Sequence, residues 1–382
     1  MFLPKGLLYT TVLSPLFYYH TVKAGRKTYL EYFAFFLVLY DLIHLYLGVD
    51  LKSFAISNLL FILTYFCVIS FYHFVNNYTG LPKLFKEILL FNALLALIAV
   101  PFFFAPRVYQ EWFWYINKLT KGFDGFPRLA LFTYEASYYS LLLIPVWYYY
   151  VLKFIFKDIE NNRWITLLLI CLPMLMSLSF GVIGASLLTL FIMCLVFSKR
   201  LFKFKRPFMM VSGSLGIVIV LLVLLWIWFP GNAFFARLEN IFAGTDTSTN
   251  GRTKDSFTMA WRIADMKNIY FGAGLGQIKV MSIEIVRKYY KFWGVFPRYD
   301  IPNAMGETLA IFGVVGVALR IFLEIWLFFK TRVFTNYYRL ALFIFVFIYQ
   351  FTGSFITNIV EYVIWILAFS NIFHQFNISR KT

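Results

Sequence analysis

Apolar segments, each about as long as a membrane-spanning helix, recur along almost the whole 382-residue chain. A transmembrane helix needs about 20 predominantly apolar residues to cross a hydrocarbon core of ~30 Å. We predict eleven such helices, separated by short segments that contain Lys, Arg, Asn, Pro and Gly. Their approximate bounds are 5–20, 29–48, 53–75, 84–104, 130–153, 164–179, 181–198, 207–229, 305–329, 340–355 and 357–374. The predicted fold class is an all-α polytopic integral membrane protein.

The composition agrees with this prediction and argues against other classes. Hydrophobic residues make up 61% of the chain and charged residues only 14%, and the mean hydropathy is +0.73. The net charge of +17 is distributed between the apolar segments rather than on one soluble face, so we expect no nucleic acid partner. The three cysteines lie inside apolar segments without paired spacing, which predicts neither a disulfide framework nor a metal site.

Basic residues follow every second predicted helix, and this distribution predicts the orientation of the chain. The basic connections hold Lys23, Arg26 and Lys27; Lys83 and Lys86; Lys153, Lys157 and Arg163; the run 199–206; and Lys330, Arg332 and Arg339. Short loops rich in Lys and Arg face the cytoplasm. The C-terminus is therefore predicted to be cytoplasmic and the N-terminus to lie on the opposite side.

Two longer loops, 105–129 and 230–304, both fall on the external side in this topology. They divide the chain into predicted helices one to eight (1–229), a large loop (230–304) and helices nine to eleven (305–382). Amphipathic patterns over 255–270 and 278–293 predict that the large loop is structured. It carries ten Lys or Arg against six acids. The excess indicates either an anionic ligand or a long loop that crosses the membrane regardless of its charge.

The large loop and the helix after it carry short motifs in a recognisable order. They are Asn250-Gly251-Arg252, Met259-Ala260-Trp261, the glycine-rich run 270–276, 302–307 around Asn303, and Phe312–Gly316 with a Gly-x-x-Gly. An earlier block joins Pro127-Arg128-Leu129-Ala130 to Glu135-Ala136-Ser137. Order and spacing resemble the bacterial O-antigen polymerase and ligase family. Two positions depart from the family's pattern. Pro302 stands where ligases of the family carry His, which counts against a ligase and leaves the general base unassigned. Residues 177–181 contain no Arg, although many members carry one in this stretch.

The resemblance implies a GT-C-like architecture and a glycosyl transfer at the periplasmic face of the bacterial inner membrane. A growing glycan would leave undecaprenyl diphosphate and join an incoming lipid-linked repeat unit, of O-antigen or capsule. Partners implied are the lipid-linked donor and acceptor, membrane lipid, a chain-length regulator and a flippase, with no cofactor and no metal. The alternatives are an O-antigen ligase and a lipid-linked oligosaccharide transporter, for which internal repeats are expected.

The residues that match these motifs are the candidate site residues. A diphosphate leaving group needs cations, and arginine offers a bidentate fork for its oxygens. The candidates for this role are Arg252, Arg262, Arg298 and Arg128; those for the base are Glu135, Glu307 and Asp300; those for substrate contact are Asn303, Trp261, Gly272 and Gly274. Structural alternatives stand beside them: Arg262 pairs with Asp265, Glu135 pairs with Arg128, and Asn303 is only a helix N-cap.

Charged residues inside apolar segments form a second group of interest, because burial in a membrane is costly unless they are paired or face a cavity. Arg320 and Glu324 are spaced i,i+4, which predicts a mutual pair near the cytoplasmic side. Asp41, His44 and Glu361 lie nearer the external half, where lining an acceptor cavity is the less favoured interpretation and pairing inside the fold the more ordinary one.

Overall fold

A computed structural model of the protein describes residues 9–116, 127–156, 163–197, 227, 239–290 and 300–378. The helices before residue 200 are α1 (Tyr9–Lys23), α2 (Leu30–Tyr46), α3 (Leu51–Asn77), α4 (Leu81–Phe103), α5 (Arg107–Gln110), α6 (Ala136–Ile155), α7 (Arg163–Met176) and α8 (Phe180–Val196). Those after it are α9 (Thr247–Arg252), α10 (Lys254–Lys267), α11 (Ile278–Tyr290), α12 (Ala304–Lys330), α13 (Tyr337–Tyr349) and α14 (Ile359–Phe369). Two 3₁₀ turns cover Val333–Thr335 and His374–Phe376.

Each predicted apolar segment that the structure describes contains a helix, although several of these helices are shorter than predicted; the segment 207–229 lies outside the described residues apart from 227. Among the described residues, α3, α4, α6 and α12 are long and apolar enough to cross a membrane, and α7, α8, α13 and α14 are shorter apolar helices. The chain therefore has the helical, apolar character of a membrane protein.

A small antiparallel hairpin is the departure from the predicted all-α fold. Strand β1 (Trp114–Ile116) pairs with β2 (Pro127–Leu129), with Trp114 opposite Leu129. The indole N–H of Trp114, which is buried, donates to the carbonyl of Ala99 at 2.8 Å. The hairpin lies in the predicted loop 105–129, where hydropathy alone gives no indication of strands.

The chain folds as two compact units that are interleaved in sequence. The first unit contains Met1–Tyr78, Ser248–Phe334 and Val346–Ile372. Its core joins apolar residues of α2, α3, α10, α11 and α12. Helix α10 is amphipathic as predicted: Met259 and Ile263 are buried in this core, while Trp261 and Asp265 are exposed.

The second unit contains Thr79–Thr247, Thr335–Phe345 and Phe373–Thr382. Helix α6 lies at its centre and packs against α7, α8 and β2. Its buried side chains are neutral and include the aromatic residues Tyr139, Trp147, Tyr148 and Tyr149. Elsewhere in this unit the charged side chains of Arg128 and Arg339 are also buried.

Candidate functional site

Helix α12 is interrupted in its first half. Gly313 has φ 66° and ψ −165°, a conformation essentially restricted to glycine, and it divides α12 into two helical parts. An interruption leaves N–H and C=O groups on both sides without partners inside the helix, and a buried polar group without a partner is costly.

The glycine-rich run supplies those missing partners from the first unit's own backbone. The N–H of Ala273 donates to the carbonyl of Ala310 at 2.8 Å, that of Gly274 to Ile311 at 3.1 Å, that of Val314 to Ile269 at 3.0 Å, and that of Val315 to Tyr270 at 3.1 Å. Each side of the interruption thus gains two hydrogen bonds. We name the arrangement of residues 269–276 against 310–315 the glycine joint.

The two segments of the glycine joint approach each other closely, and this explains why both contain glycine. A Cβ atom on Gly272 would lie 2.5 Å from the carbonyl of Ile311, and one on Gly313 would lie 2.6 Å from the nitrogen of Gly272. Gly272 and Gly274 are both buried, with backbone atoms of Ile311 beside the first and the ring of His44 beside the second. Their contact with substrate stays a prediction.

Gly274 and Gly276 approach two further helices. A Cβ atom on Gly274 would lie 3.0 Å from Nδ1 of His44 in α2, and one on Gly276 would lie 2.6 Å from Oγ of Ser57 in α3. His44 is completely buried under the run. Lys267, at the end of α10, donates to the carbonyl of Gly48, and partial burial lowers the pKa of its ammonium group.

Asn303 begins α12 and connects it to α9. Its extended backbone (φ −143°, ψ 141°) and its Oδ1, which accepts from the N–H of Gly306 at 2.5 Å, confirm the predicted N-cap. Its Nδ2 donates to the carbonyl of Arg252 at 2.6 Å. Because Asn303 is fully buried and both ends of its amide bind protein, we assign it to positioning Arg252 rather than to contacting substrate.

The N-terminus of α12 has no N–H group left for an anion. The N–H of Ala304 donates to Gly353 at 3.0 Å, that of Met305 to Gln350 at 3.0 Å, and that of Glu307 to the carbonyl of Asn303 at 2.9 Å. A helix N-terminus with unpaired N–H groups is a common phosphate site. Here those groups are used, so phosphate binding at this end of the molecule depends on side chains.

The hydrogen bonds of Ala304 and Met305 also explain why α13 ends earlier than predicted. The apolar pattern predicts a helix to residue 355, but α13 ends at Tyr349. The carbonyls of Gln350 and Gly353 turn toward α12 and accept its first N–H groups. The segment 350–358 therefore connects α13 to α14 while it caps α12.

Glu307 lies in the first turn of α12 with one carboxylate oxygen held by the backbone. Its Oε2 accepts from the N–H of Ile356 at 2.6 Å, and among the described residues its Oε1 has no hydrogen-bond partner. The side chain is partly exposed. A carboxylate that is fixed at one oxygen and open at the other can accept a proton from a substrate hydroxyl. Asp300, a second predicted base, is exposed just before α12.

Two predicted residues of α10 lie on its outer surface. Trp261 is 52% exposed and Arg262 is half-buried, one residue before the buried Ile263. The structure brings the helix that carries them against α12, next to Arg252 and Asn303. Arg298 lies outside the described residues.

The remaining two predicted residues belong to the second unit. Arg128 is buried on β2, with its guanidinium 5.4 Å from the centre of the Tyr115 ring. Glu135 occupies the N-cap position of α6, and its Oε1 accepts the hydroxyl of Ser137 at 2.5 Å. Both therefore have evident local roles at the entry to α6.

Arg320 and Glu324 form the predicted i,i+4 pair, but the pair is part of a larger cluster. Arg320 Nε lies 3.1 Å from Glu324 Oε1. The other contacts are Arg320 Nε to Gln350 Oε1 at 2.9 Å, Arg320 Nη1 to Thr308 Oγ1 at 3.0 Å, Arg320 Nη2 to Glu361 Oε1, and Gln350 Nε2 to Glu324 Oε2 at 2.9 Å. We name these five residues the Arg320 cluster.

The cluster confirms the predicted pair and extends it. Glu361 also pairs with Arg320, and the guanidinium reaches Thr308 near the start of α12. Twelve residues of straight helix would span about 18 Å, too far for a side chain. The interruption at Gly313 brings Arg320 within reach of Thr308.

Within the described ranges, no three His, Cys, Asp or Glu side chains are grouped so that they could hold a metal ion. The fold and this site define an α-helical protein of membrane character with a glycine joint and a buried ionic cluster. Comparison with known proteins found no matching family model, curated protein or solved structure.

Proposed function

We propose that the protein is a membrane glycosyltransferase with eleven transmembrane helices that polymerises undecaprenyl-diphosphate-linked repeat units at the periplasmic face of the inner membrane. One observation supports this proposal most: motifs far apart in sequence meet at the first half of α12. Asn303 binds the backbone of Arg252, α10 with Trp261 packs on α12, and the glycine-rich run closes on Gly313. The motifs of the large loop and of α12 therefore belong to one structural arrangement.

The proposed reaction exchanges one bond at the anomeric carbon for another. The acceptor hydroxyl loses its proton and its oxygen forms the new glycosidic bond, while the bond to the lipid diphosphate breaks and its electron pair leaves with the diphosphate. Negative charge develops on that leaving group, so cations near it lower the barrier. Arg252 and Arg262 supply that charge in this proposal, because the α12 N-terminus has no N–H group available.

Glu307 is the proposed general base. Its Oε2 is fixed by Ile356 at 2.6 Å, which leaves Oε1 to take the hydroxyl proton. Among the acids predicted from sequence, it is the one that lies in the first turn of α12, four residues from the N-cap that holds Arg252. After the transfer, Glu307 can release the proton to solvent, because its side chain is partly exposed.

The first test follows purified lipid-linked repeat units through the detergent-solubilised protein, with and without chelator. We expect a ladder of longer glycans that survives chelator and is lost, by at least about 100-fold in rate, in Arg252→Ala. Lys254→Ala, which removes an exposed cation two residues away, is the matched control and should keep the ladder. An inactive wild type with matched substrate would favour a ligase or a transporter.

The second test separates the candidate bases. Glu307→Gln should lower kcat by about 100-fold or more with little change in KM, because loss of a general base affects the transition state. Asp300→Asn is the discriminating variant, and Glu284→Gln, an exposed acid on α11, is the control. If Asp300→Asn rather than Glu307→Gln abolishes the ladder, the assignment of the base is wrong.

A further inference from the structure

Helices α1 and α3 pack against each other and leave a cavity of about 420 Å³ between their C-terminal ends. The cavity lies beside the last turns of both helices, which end at Lys23 and Asn77. Next to it the ring of Tyr18 stacks on that of Phe66, with 4.1 Å between the centroids. Ligand sites usually have volumes of about 300–1,000 Å³. The cavity is therefore large enough to hold part of a lipid molecule.

The lining of the cavity changes along the two helices. Farther from the helix ends it includes the rings of Phe17 and Phe71. Nearer the ends it is polar, with His20, Arg26, His73 and Asn77. Helix α3 has 27 residues and is about 40 Å long, whereas the hydrocarbon core of a bilayer is ~30 Å thick, so its last turn extends into the headgroup region. A phospholipid presents its acyl chains and its headgroup in the same order.

The polar end of the cavity is positively charged. Arg26 lines it, and Lys23 and Lys27 lie close to Arg26 in sequence. All three are exposed, and none of them forms an ion pair among the described residues. None of the described residues that line the cavity is Asp or Glu, and the acid nearest in sequence, Glu31, is exposed at the start of α2. The charge at this end is thus complementary to an anion.

Carbonyl groups at the two helix C-termini would repel an anion if they were unpaired. At the end of α1 the N–H groups of residues 24–26 donate to carbonyls of its last turn at 2.9–3.3 Å. At the end of α3 the Nδ2 of Asn77 donates to the carbonyl of His73 at 2.6 Å, and the N–H of Tyr78 donates to that of Phe74 at 2.9 Å. These hydrogen bonds reduce the repulsion that the helix ends would exert.

The loop that carries Arg26 is fixed to α3 by two hydrogen bonds. The Nε2 of His73 lies 2.8 Å from the carbonyl of Lys27, and the hydroxyl of Tyr65 donates to the carbonyl of Thr28. Since a carbonyl can only accept, the Nε2 of His73 carries the proton of that bond. Arg26 is therefore held beside the cavity before any ligand arrives, and this lowers the entropy cost of binding.

We propose that this cavity binds one anionic phospholipid, with the headgroup phosphate at Arg26 and His20 and an acyl chain against Phe17 and Phe71. The guanidinium of Arg26 and the ring N–H of His20 donate to the phosphate oxygens. Basic pockets between transmembrane helices on the cytoplasmic side bind anionic headgroups, and the connection 23–27 is predicted to face the cytoplasm. The ammonium group of a zwitterionic lipid would find no carboxylate among the described lining residues, so such a lipid should bind more weakly.

Native mass spectrometry of the delipidated, detergent-purified full chain tests the proposal. The protein is titrated with phosphatidylglycerol, phosphatidylethanolamine or water-soluble glycerol phosphate. We expect one phosphatidylglycerol to bind at least about 5-fold more tightly than phosphatidylethanolamine, the factor for one interfacial charge, and glycerol phosphate to bind far more weakly than either lipid. Equal affinity for the two lipids would overturn the proposal, and glycerol phosphate binding as tightly as phosphatidylglycerol would show a site for free anions instead.

Three variants distinguish this cavity from a general attraction of anionic lipid to a basic surface. Arg26→Ala should weaken phosphatidylglycerol binding about 5-fold. Ala24→Phe keeps every charge but adds a ring to the lining, and should weaken binding by a similar factor. Lys83→Ala removes an exposed cation that is predicted on the same side of the membrane and does not line the cavity, so affinity should be unchanged.

The proposal is wrong if Lys83→Ala weakens binding as much as Arg26→Ala does, or if neither cavity variant changes the affinity. It does not rest on the proposed function. Since lipid binding is measured without glycan transfer, a failure here is distinct from a failure of the proposed reaction.

Discussion

Helices α6 and α12 are both long enough to cross a membrane. Proline is the residue expected to interrupt a helix, but it lies in the helix that stays continuous. Helix α6 contains Pro145 and continues from Ala136 to Ile155, whereas α12 has no proline and is interrupted at Gly313. Proline removes one intrahelical hydrogen bond. The carbonyl of Pro145 accepts from the hydroxyl of Tyr338 at 3.2 Å, within the same unit.

The difference lies in what surrounds each helix. In the most apolar stretch of α6, 78% of the residues are buried, against 17% in α12. The side chains that α6 itself buries are neutral, whereas α12 carries the ion pair of Arg320 and Glu324 and a backbone interruption that is completed by four hydrogen bonds to the segment 269–274. A helix can be interrupted inside a membrane protein where other backbone satisfies its polar groups. Chemistry is better supported at such a place than along a continuous apolar helix.

The largest expected effect comes from closing the space at the glycine joint. Gly313→Ala places a Cβ 2.6 Å from the nitrogen of Gly272 and forces alanine into a conformation that costs about 1–3 kcal/mol by itself. We expect a loss of more than about 3 kcal/mol, seen as aggregation or a strongly lowered Tm. Gly184→Ala in α8, where a Cβ meets nothing within 4 Å, is the control and should be neutral or slightly stabilising. A Gly313→Ala protein as stable as the wild type would contradict the close packing at the glycine joint.

Removing the cation of α12 should have the next largest effect. Arg320→Met leaves the carboxylates of Glu324 and Glu361 buried without their ion-pair partner, at an expected cost of about 3–5 kcal/mol in the free energy of unfolding. The triple variant Arg320→Met/Glu324→Leu/Glu361→Leu removes all three ionisable side chains and should recover much of that loss. Chemical denaturation in detergent measures both variants. A triple variant no more stable than the single one would show that the ion pairs are not the source of the effect.

A smaller effect is expected at the start of α12. Asn303→Ala removes the N-cap and the bond to the carbonyl of Arg252, which together are worth about 1–2 kcal/mol. Asn358→Ala removes the comparable cap of α14, whose Oδ1 accepts from Val360 at 3.1 Å. Both variants should lose similar stability, but only Asn303→Ala should impair glycan transfer, because only it releases Arg252. Equal activity of the two variants would contradict the positioning role of Asn303.

Local features of this site could be predicted from the sequence, and long-range ones could not. The N-cap at Asn303 and the amphipathic character of α10 follow from residue type and helical periodicity within a few positions. Arg320 and Glu361 are 41 residues apart, and nothing in either segment indicates which distant ion each will meet. Hydropathy also placed the end of α13 too late, because it counts Phe351 and Phe355 as a continuation of the helix although the backbone of this segment turns to cap α12.

The smallest expected effect concerns a buried hydrogen bond of α6. The hydroxyl of Tyr139 donates to Oδ1 of Asn92 in α4 at 2.7 Å, and both side chains are buried in the second unit. Tyr139→Phe should cost about 1–2 kcal/mol, since it leaves the amide oxygen of Asn92 without that donor. Replacing both partners, Tyr139→Phe/Asn92→Leu, removes the buried polar atoms together and should return stability to within about 0.5 kcal/mol of the wild type. Denaturation of the four proteins of this cycle measures the coupling, and a loss in the double variant as large as that of Arg320→Met would show that α6 depends on its polar contacts as much as α12 does.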